Sequence, residues 1–280
     1  MVETLNLPTI VTVNQQKGGA GKSTVTKNLT TYLALNKNKR VLNIDGDYSL
    51  YLTTNLYNVY EKQGNIGDLF TLDNLENGGN KDVQYYTVHP NIDLIVGDPH
   101  LNEKQRKLTS EEGTSFILMK WLMNHTDKIS NYDYIVIDTH NDFDIFTKNA
   151  IAISDVVLAP LDPSEKNESI TTRMEYELHK LEKQLVEPLS NESYVDVNLY
   201  TIGNKIAKNT ASHREFLNSI QQREDYLTWL PQKELFVKAS KEIKTMEDMM
   251  KADNNKHDIF YKQYLEAMEH IYNVININEN

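Results

Sequence analysis

Lys17-Gly18-Gly19-Ala20-Gly21-Lys22-Ser23-Thr24 stands between a β-branched run, residues 9–14 (TIVTVN), and a helical pattern that begins at Ser23. Its glycines let the backbone curl until successive N–H groups point into one concavity, a shape that holds phosphate oxygens. The helix that follows adds the positive end of its dipole at the same point. From here Lys22 reaches the β- and γ-phosphates of a nucleotide, and the Ser23 hydroxyl suits Mg2+. A lysine-glycine turn that merely starts a helix does not require strand, loop and helix in this order. Gly18, Gly19, Ala20, Gly21, Lys22, Ser23 and Thr24 are therefore the expected phosphate-binding residues.

Outward from this loop, strand and helix patterns alternate. Residues 40–45 (RVLNID), 83–88, 91–96 (NIDLIV) and 196–202 read as strands. Residues 134–138 (YIVID) and 155–159 (DVVLA) are near-continuous apolar runs, the pattern of central strands covered on both faces. Residues 112–125, 143–153, 165–186, 211–223 and 258–275 read as helices. This predicts an α/β chain with the P-loop NTPase fold, a mostly parallel sheet with helices on both faces. Residues 73–82 and 251–258 read as loops too short to divide it. A single domain over 1–280 is expected, with no repeat and no linker.

Composition narrows the chemistry. Among 280 residues there is no cysteine, which excludes disulfides, Cys-ligated zinc, iron–sulfur clusters and thiol catalysis. The formal net charge of −11 argues against a surface that grips nucleic acid everywhere, while leaving room for a local basic strip. No apolar run approaches the roughly 18 residues of a membrane span, and residues 1–8 lack the basic start and apolar stretch of a signal peptide. A cytoplasmic protein is expected. The eight histidines show no metal-ligand spacing.

The loop carries a second lysine, Lys17, directly before its first two glycines. The pattern KGGxGK[ST][ST] resembles the deviant Walker A motif of the ParA/MinD family of ATPases, and further segments follow in that family's order. Residues 40–47 (RVLNIDGD) resemble its D-x-D strand, residues 132–139 (YDYIVIDT) its Walker B strand, and residues 201–205 (TIGNK) its base-binding segment. The resemblance implies ATP and Mg2+ as cofactors. It implies that Lys17 crosses a nucleotide-sandwiched homodimer to touch the partner's phosphates, and that Asp47 is the catalytic carboxylate. Asp45 is its supporting neighbour, and Ser23, Asp45 and Asp138 serve the metal. Asn204 reads the adenine edge and Pro231 lines the other side of the base. Asn204-Lys205 also looks like the start of a guanine motif, but Ala207 stands where that motif needs an aspartate. The family's D-P-Q is replaced by Asp47-Tyr48-Ser49, and its Pro-Pro after Walker B by His140-Asn141. Asp142 is read as the N-cap of the next helix.

Within the family, the resemblance points to a short ParA-type DNA partition ATPase. Such proteins dimerise on ATP, bind DNA without sequence preference on the nucleoid, and are stimulated by a small centromere-binding partner. Only 16 residues precede Lys17, so no N-terminal helix-turn-helix is expected. Arg223, Lys238, Lys241 and Lys244 form the expected DNA strip, with Lys205, Lys208, Arg214 and Lys233 nearby. The alternative is a MinD-like membrane-associated positioning ATPase, which needs a basic amphipathic C-terminal helix. Residues 259–280 carry Glu266, Glu269 and Glu279 against Lys262 and His270, so anionic lipid would repel them and no membrane partner is expected. Related synthases of this fold lack the signature lysine. Tyr261, Tyr264 and Tyr272 are read as a packed aromatic face, and Met246, Met249 and Met250 as packing against the body.

Overall fold

The computed structural model of the chain describes residues 7–60, 63–164, 167–252 and 258–276. Its strands are β1 (Thr9–Val13), β2 (Val41–Gly46), β3 (Tyr86–His89), β4 (Ile92–Ile95), β5 (Tyr134–Thr139), β6 (Val156–Leu161), β7 (Asn198–Ile206) and β8 (Tyr226–Pro231). They form one sheet in the order β3-β4-β2-β5-β1-β6-β7-β8. β3 runs antiparallel to β4, and every other pairing is parallel. This is the P-loop NTPase architecture.

Every residue of β1, β2, β5 and β6 is buried, which explains why these strands read as unbroken apolar runs. Their side chains still alternate between faces. Val11, Val13, Val41 and Val136 meet Val25 and Leu29 of the helix Lys22–Thr31, together with Met250 and Ile271 from the C-terminal helices. Ile10, Leu42, Ile44 and Ile135 point the other way, onto Trp121 and Phe146. Met246, Met249 and Met250 are buried in the first layer, as is Tyr264, with Tyr261 and Tyr272 packed against it.

Several boundaries differ from the sequence reading. The first helix closes at Thr31 and continues as a wider π-type turn, Tyr32–Asn36. β7 extends past residue 202 to Ile206, so Asn204 lies inside a strand rather than beyond one. The segment 73–82 opens as the short helix Leu72–Glu76. Helices Leu101–Lys107, Glu234–Ser240 and Met246–Ala252 were not expected as elements. Of the helix expected over 165–186, Asn167–Gln184 is described. Glu165 and Lys166, residues 253–257 of the expected 251–258 loop, and Glu279 of the acidic tail lie outside the described residues.

Candidate nucleotide-binding site

Parallel pairing sets the site. Register places Val13 beside Asp138 and Asp45 beside Asp138, so β1, β2 and β5 end at one level under the glycine loop. Two fully buried carboxyls thus stand on neighbouring strands. Burial pushes Asp45 up to about 6. Burial and then the nearby Asp45 raise Asp138 well above the carboxylate range, with the Ser23 hydroxyl opposing. Both oxygens of Asp45 are engaged: Oδ1 accepts the Asp47 N–H at 3.1 Å, and Oδ2 accepts the Thr53 N–H at 2.9 Å and its hydroxyl at 2.6 Å. Asp138 Oδ1 accepts the Thr26 hydroxyl at 3.3 Å. Its buried Oδ2 meets no hydrogen-bond partner among the described residues.

The loop itself requires glycine where its backbone turns left-handed, at Gly19 (φ 81°) and Gly21 (φ 90°). Lys22 is buried and its pKa is lowered by that burial, against the pull of Asp138, Asp47 and Asp142. A buried ammonium near these carboxylates, in a glycine loop at the start of the helix Lys22–Thr31, is suited to polyanionic phosphate. The cavity here is about 520 Å³ and is lined by loop residues with Asp47, Tyr51 and His140. A second cavity of about 410 Å³ adjoins it, walled by Asn204, Pro231, Phe236 and Val237. Gly21, Thr24, Lys205 and Val237 line both, so the two cavities share a wall and run into each other.

Asn204 and Pro231 both line this second cavity, and Asn204 is already at work. Its Nδ2 donates to the Ala20 carbonyl at 2.7 Å and its Oδ1 accepts the Lys205 N–H at 2.9 Å. One amide hydrogen and one lone pair remain for a base.

Lys17 turns away from the loop's own cavity. Its ammonium donates to Asp162 Oδ1 at 3.3 Å and to the Ser164 hydroxyl at 2.6 Å. Asp47 faces the phosphate cavity, with its Oδ1 accepting the Ser49 N–H at 2.8 Å. The residues that replace the family's prolines pack on each other: Tyr48 stacks on His140 at 3.9 Å between ring centroids. His140 also pairs with Asp142 at 3.0 Å. Burial opposes ionisation of Asp142, but hydrogen bonds from His140, the Asp144 N–H and Thr147 outweigh it and hold the carboxyl low. The N-cap position falls on Asp144, not Asp142.

The expected DNA strip is divided. Lys238 (paired with Glu234 at 3.1 Å), Lys241 and Lys244 (paired with Glu242 at 2.7 Å) are exposed together after β8. Arg223 precedes β8, at the other end of that strand, and is tied to Glu175 at 2.7 Å and Asp225 at 2.8 Å. The structure does not bring it to the lysines. The lysine segment is anchored to the loop's helix instead: Lys27 Nζ donates to the Glu242 carbonyl at 3.3 Å, and Asn28 Nδ2 to the Phe236 carbonyl at 3.4 Å.

Sequence reasoning missed Thr26 and Thr53, which hold the acids, Asp162 and Ser164, which hold Lys17, and Phe236 and Val237 in the second cavity.

A family model described as an AAA domain (AAA_31) matches residues 8–190. The chromosome partitioning protein ParA of Myxococcus xanthus is 29% identical over 152 residues, 54% of this chain and 51% of that protein. The chain spans about half the length of the curated relatives it matches. Among solved structures, a putative plasmid partition protein from Borrelia burgdorferi B31 bound to AMPPNP has TM-score 0.69 and 25% identity, over 96% of this chain and 98% of that one. Cobyrinic acid a,c-diamide synthase from Mycobacterium smegmatis, with bound ATP analog and magnesium, has TM-score 0.67 and 18% identity, over 87% and 93%, and shares the fold. No helix among the described residues is long and apolar enough to cross a membrane.

Proposed function

The chain belongs to the AAA_31 family of ParA/MinD-type AAA domains, and from that premise we propose that it is a ParA-type DNA partition ATPase. In this reading it binds ATP with Mg2+, joins a second copy, holds DNA without sequence preference and is stimulated by a centromere-binding partner. The AMPPNP-bound plasmid partition protein and the magnesium-bound synthase support the cofactors. The donor set fits a hard cation: the Ser23 hydroxyl interacts with the Asp138 carboxyl, whose Oδ2 is buried without a hydrogen-bond partner among the described residues. Ser23 and Asp138, with Asp45 beside them, would hold Mg2+, which would supply charge neutralisation at the phosphates and between the two acids. Lys22 and the loop amides hold the phosphates, and Asp47 orients and deprotonates the attacking water. Asp45 holds the turn that carries Asp47.

The observation that carries this reading is the direction of Lys17. A phosphate-loop lysine that donates to Asp162 and Ser164, and does not line its own loop's cavity, fits a role toward a neighbouring copy in which those bonds are exchanged. The test is light scattering behind size exclusion, with and without MgATP, on the wild type and Lys17→Ala. The wild type should dimerise only with MgATP, and the variant should bind ATP yet remain monomeric. An ATP-driven dimer of undiminished stability in Lys17→Ala would assign the lysine to its own subunit and withdraw the reading.

A further inference from the structure

β7 does not finish as a regular strand. Between the pairs Gly203↔Trp229 and Ile206↔Pro231 it carries one residue more than β8. That extra residue makes a bulge, which bends a strand and re-aims a side chain. Within it Lys205 sits at φ 57°, a left-handed conformation that lysine has no local reason to adopt. Backbone strain of this kind persists where the surroundings use its result. Here the result is that Lys205 leaves the sheet and crosses the glycine loop. Its Cε lies 3.6 Å from where a β-carbon on Gly21 would stand, and its ammonium donates to the Gly19 carbonyl. The preceding residue, Asn204, donates to the next carbonyl, that of Ala20.

These two bonds act on the anion site through peptide geometry. In a planar trans peptide the carbonyl and the following N–H point in opposite directions. Fixing the Gly19 carbonyl therefore fixes the direction of the Ala20 N–H, and fixing the Ala20 carbonyl does the same for the Gly21 N–H. We propose that Asn204 and Lys205 form a two-point clasp that fixes two consecutive peptide planes of the phosphate loop, with Lys205 as a positioning residue for phosphate binding. The clasp works through the loop rather than by touching the base, and it rests on the nucleotide reading above. A loop whose amides are set before the ligand arrives loses less freedom on binding.

Because the effect passes through the loop, its loss must weaken any ligand held by the loop, with or without a base. Calorimetric titration of the full chain with MgATP and with magnesium pyrophosphate, alongside thermal melting, tests this for Lys205→Met, Lys205→Arg and Lys205→Gly. Lys205→Met keeps the stem and removes the donor, and should bind both ligands about tenfold more weakly. Its melting temperature should stay at the wild-type value. Lys205→Arg should restore both affinities. Lys205→Gly should lose affinity while melting no lower than wild type, because glycine relieves the left-handed backbone. Wild-type affinities in Lys205→Met overturn the clasp, as does a loss confined to MgATP, which would make Lys205 a contact to nucleoside. A lowered melting point in Lys205→Met, or no rescue by arginine, also overturns it. If the wild type itself binds neither ligand, the nucleotide reading fails, a result distinct from each of these.

Discussion

Asp45 shows how a single buried acid links pH, metal and fold. Burial holds its folded pKa at about 6, while the unfolded chain returns it to the ordinary aspartate value of 3.8. Between those values the folded state keeps a proton that the unfolded state releases, so the free protein gains stability from this group as pH falls from 6 toward 4 and loses it as pH rises. Asp138, raised beside it, acts in the same sense. Mg2+ with nucleotide needs the ionised carboxylates, so its effect has the opposite slope. The rise in melting temperature on adding MgATP should be largest near pH 7.5 and shrink steadily toward pH 5. A scan of melting temperature against pH, with and without MgATP, reads both slopes, and an increment that stays flat to pH 5 would mean that the pair is ionised in the free protein.

At the scale of elements, the close approach of β2 to the helix Ile145–Ala152 depends on one missing side chain. A β-carbon on Gly46 would overlap the ring of Phe146. That ring is buried and wedged between the sheet and Phe70, so it has nowhere to swing. Gly46→Ala should cost about 1–3 kcal/mol by overpacking, measured by urea denaturation, and Gly46→Ala with Phe146→Leu should recover part of it. Without that recovery, the cost belongs to the backbone of β2. This contact also marks what the sequence could and could not tell. The phosphate loop and the β1, β2 and β5 motifs were legible because each depends on residues adjacent in the chain. The helix over 258–275 was legible through its spacing and appears with those bounds. The bulge at Lys205 was not, since it arises from the pairing of β7 with β8, and neither strand encodes it alone. The helices Glu234–Ser240 and Met246–Ala252 were hidden for a similar reason. They are short, and they stand because Phe236, Met246 and Met250 pack into a core built by distant strands. The bonds that hold Lys17 were equally unreadable, as Asp162 and Ser164 lie some 145 residues away.

For the whole molecule, the question is how a chain of net charge −11 could hold DNA. Affinity for phosphate backbone depends on local lysines and the counterions they displace, not on the total. The three exposed lysines Lys238, Lys241 and Lys244 form one small patch, and the bonds from Lys27 and Asn28 fix that patch to the helix that begins in the phosphate loop. Each surface pair to Glu234 or Glu242 is exposed and readily exchanged for a DNA phosphate. A lone protomer with three contacts should show a salt slope, log K against log salt, of about −3, which corresponds to weak binding at physiological salt. Two protomers joined by ATP present twice the contacts, so the slope should steepen to about −5. DNA retention by the wild type should therefore require MgATP. Lys241→Glu with Lys244→Glu should abolish it while leaving ATP affinity and ATP-driven dimerisation in place, because neither side chain touches the nucleotide cavities. Filter binding of a random-sequence duplex from 50 to 300 mM salt, run with each protein in ATP and in ADP, measures the slope directly. Equal slopes in the two nucleotides would mean that dimerisation adds no DNA contacts, and undiminished retention by the double variant would move the DNA surface away from this patch.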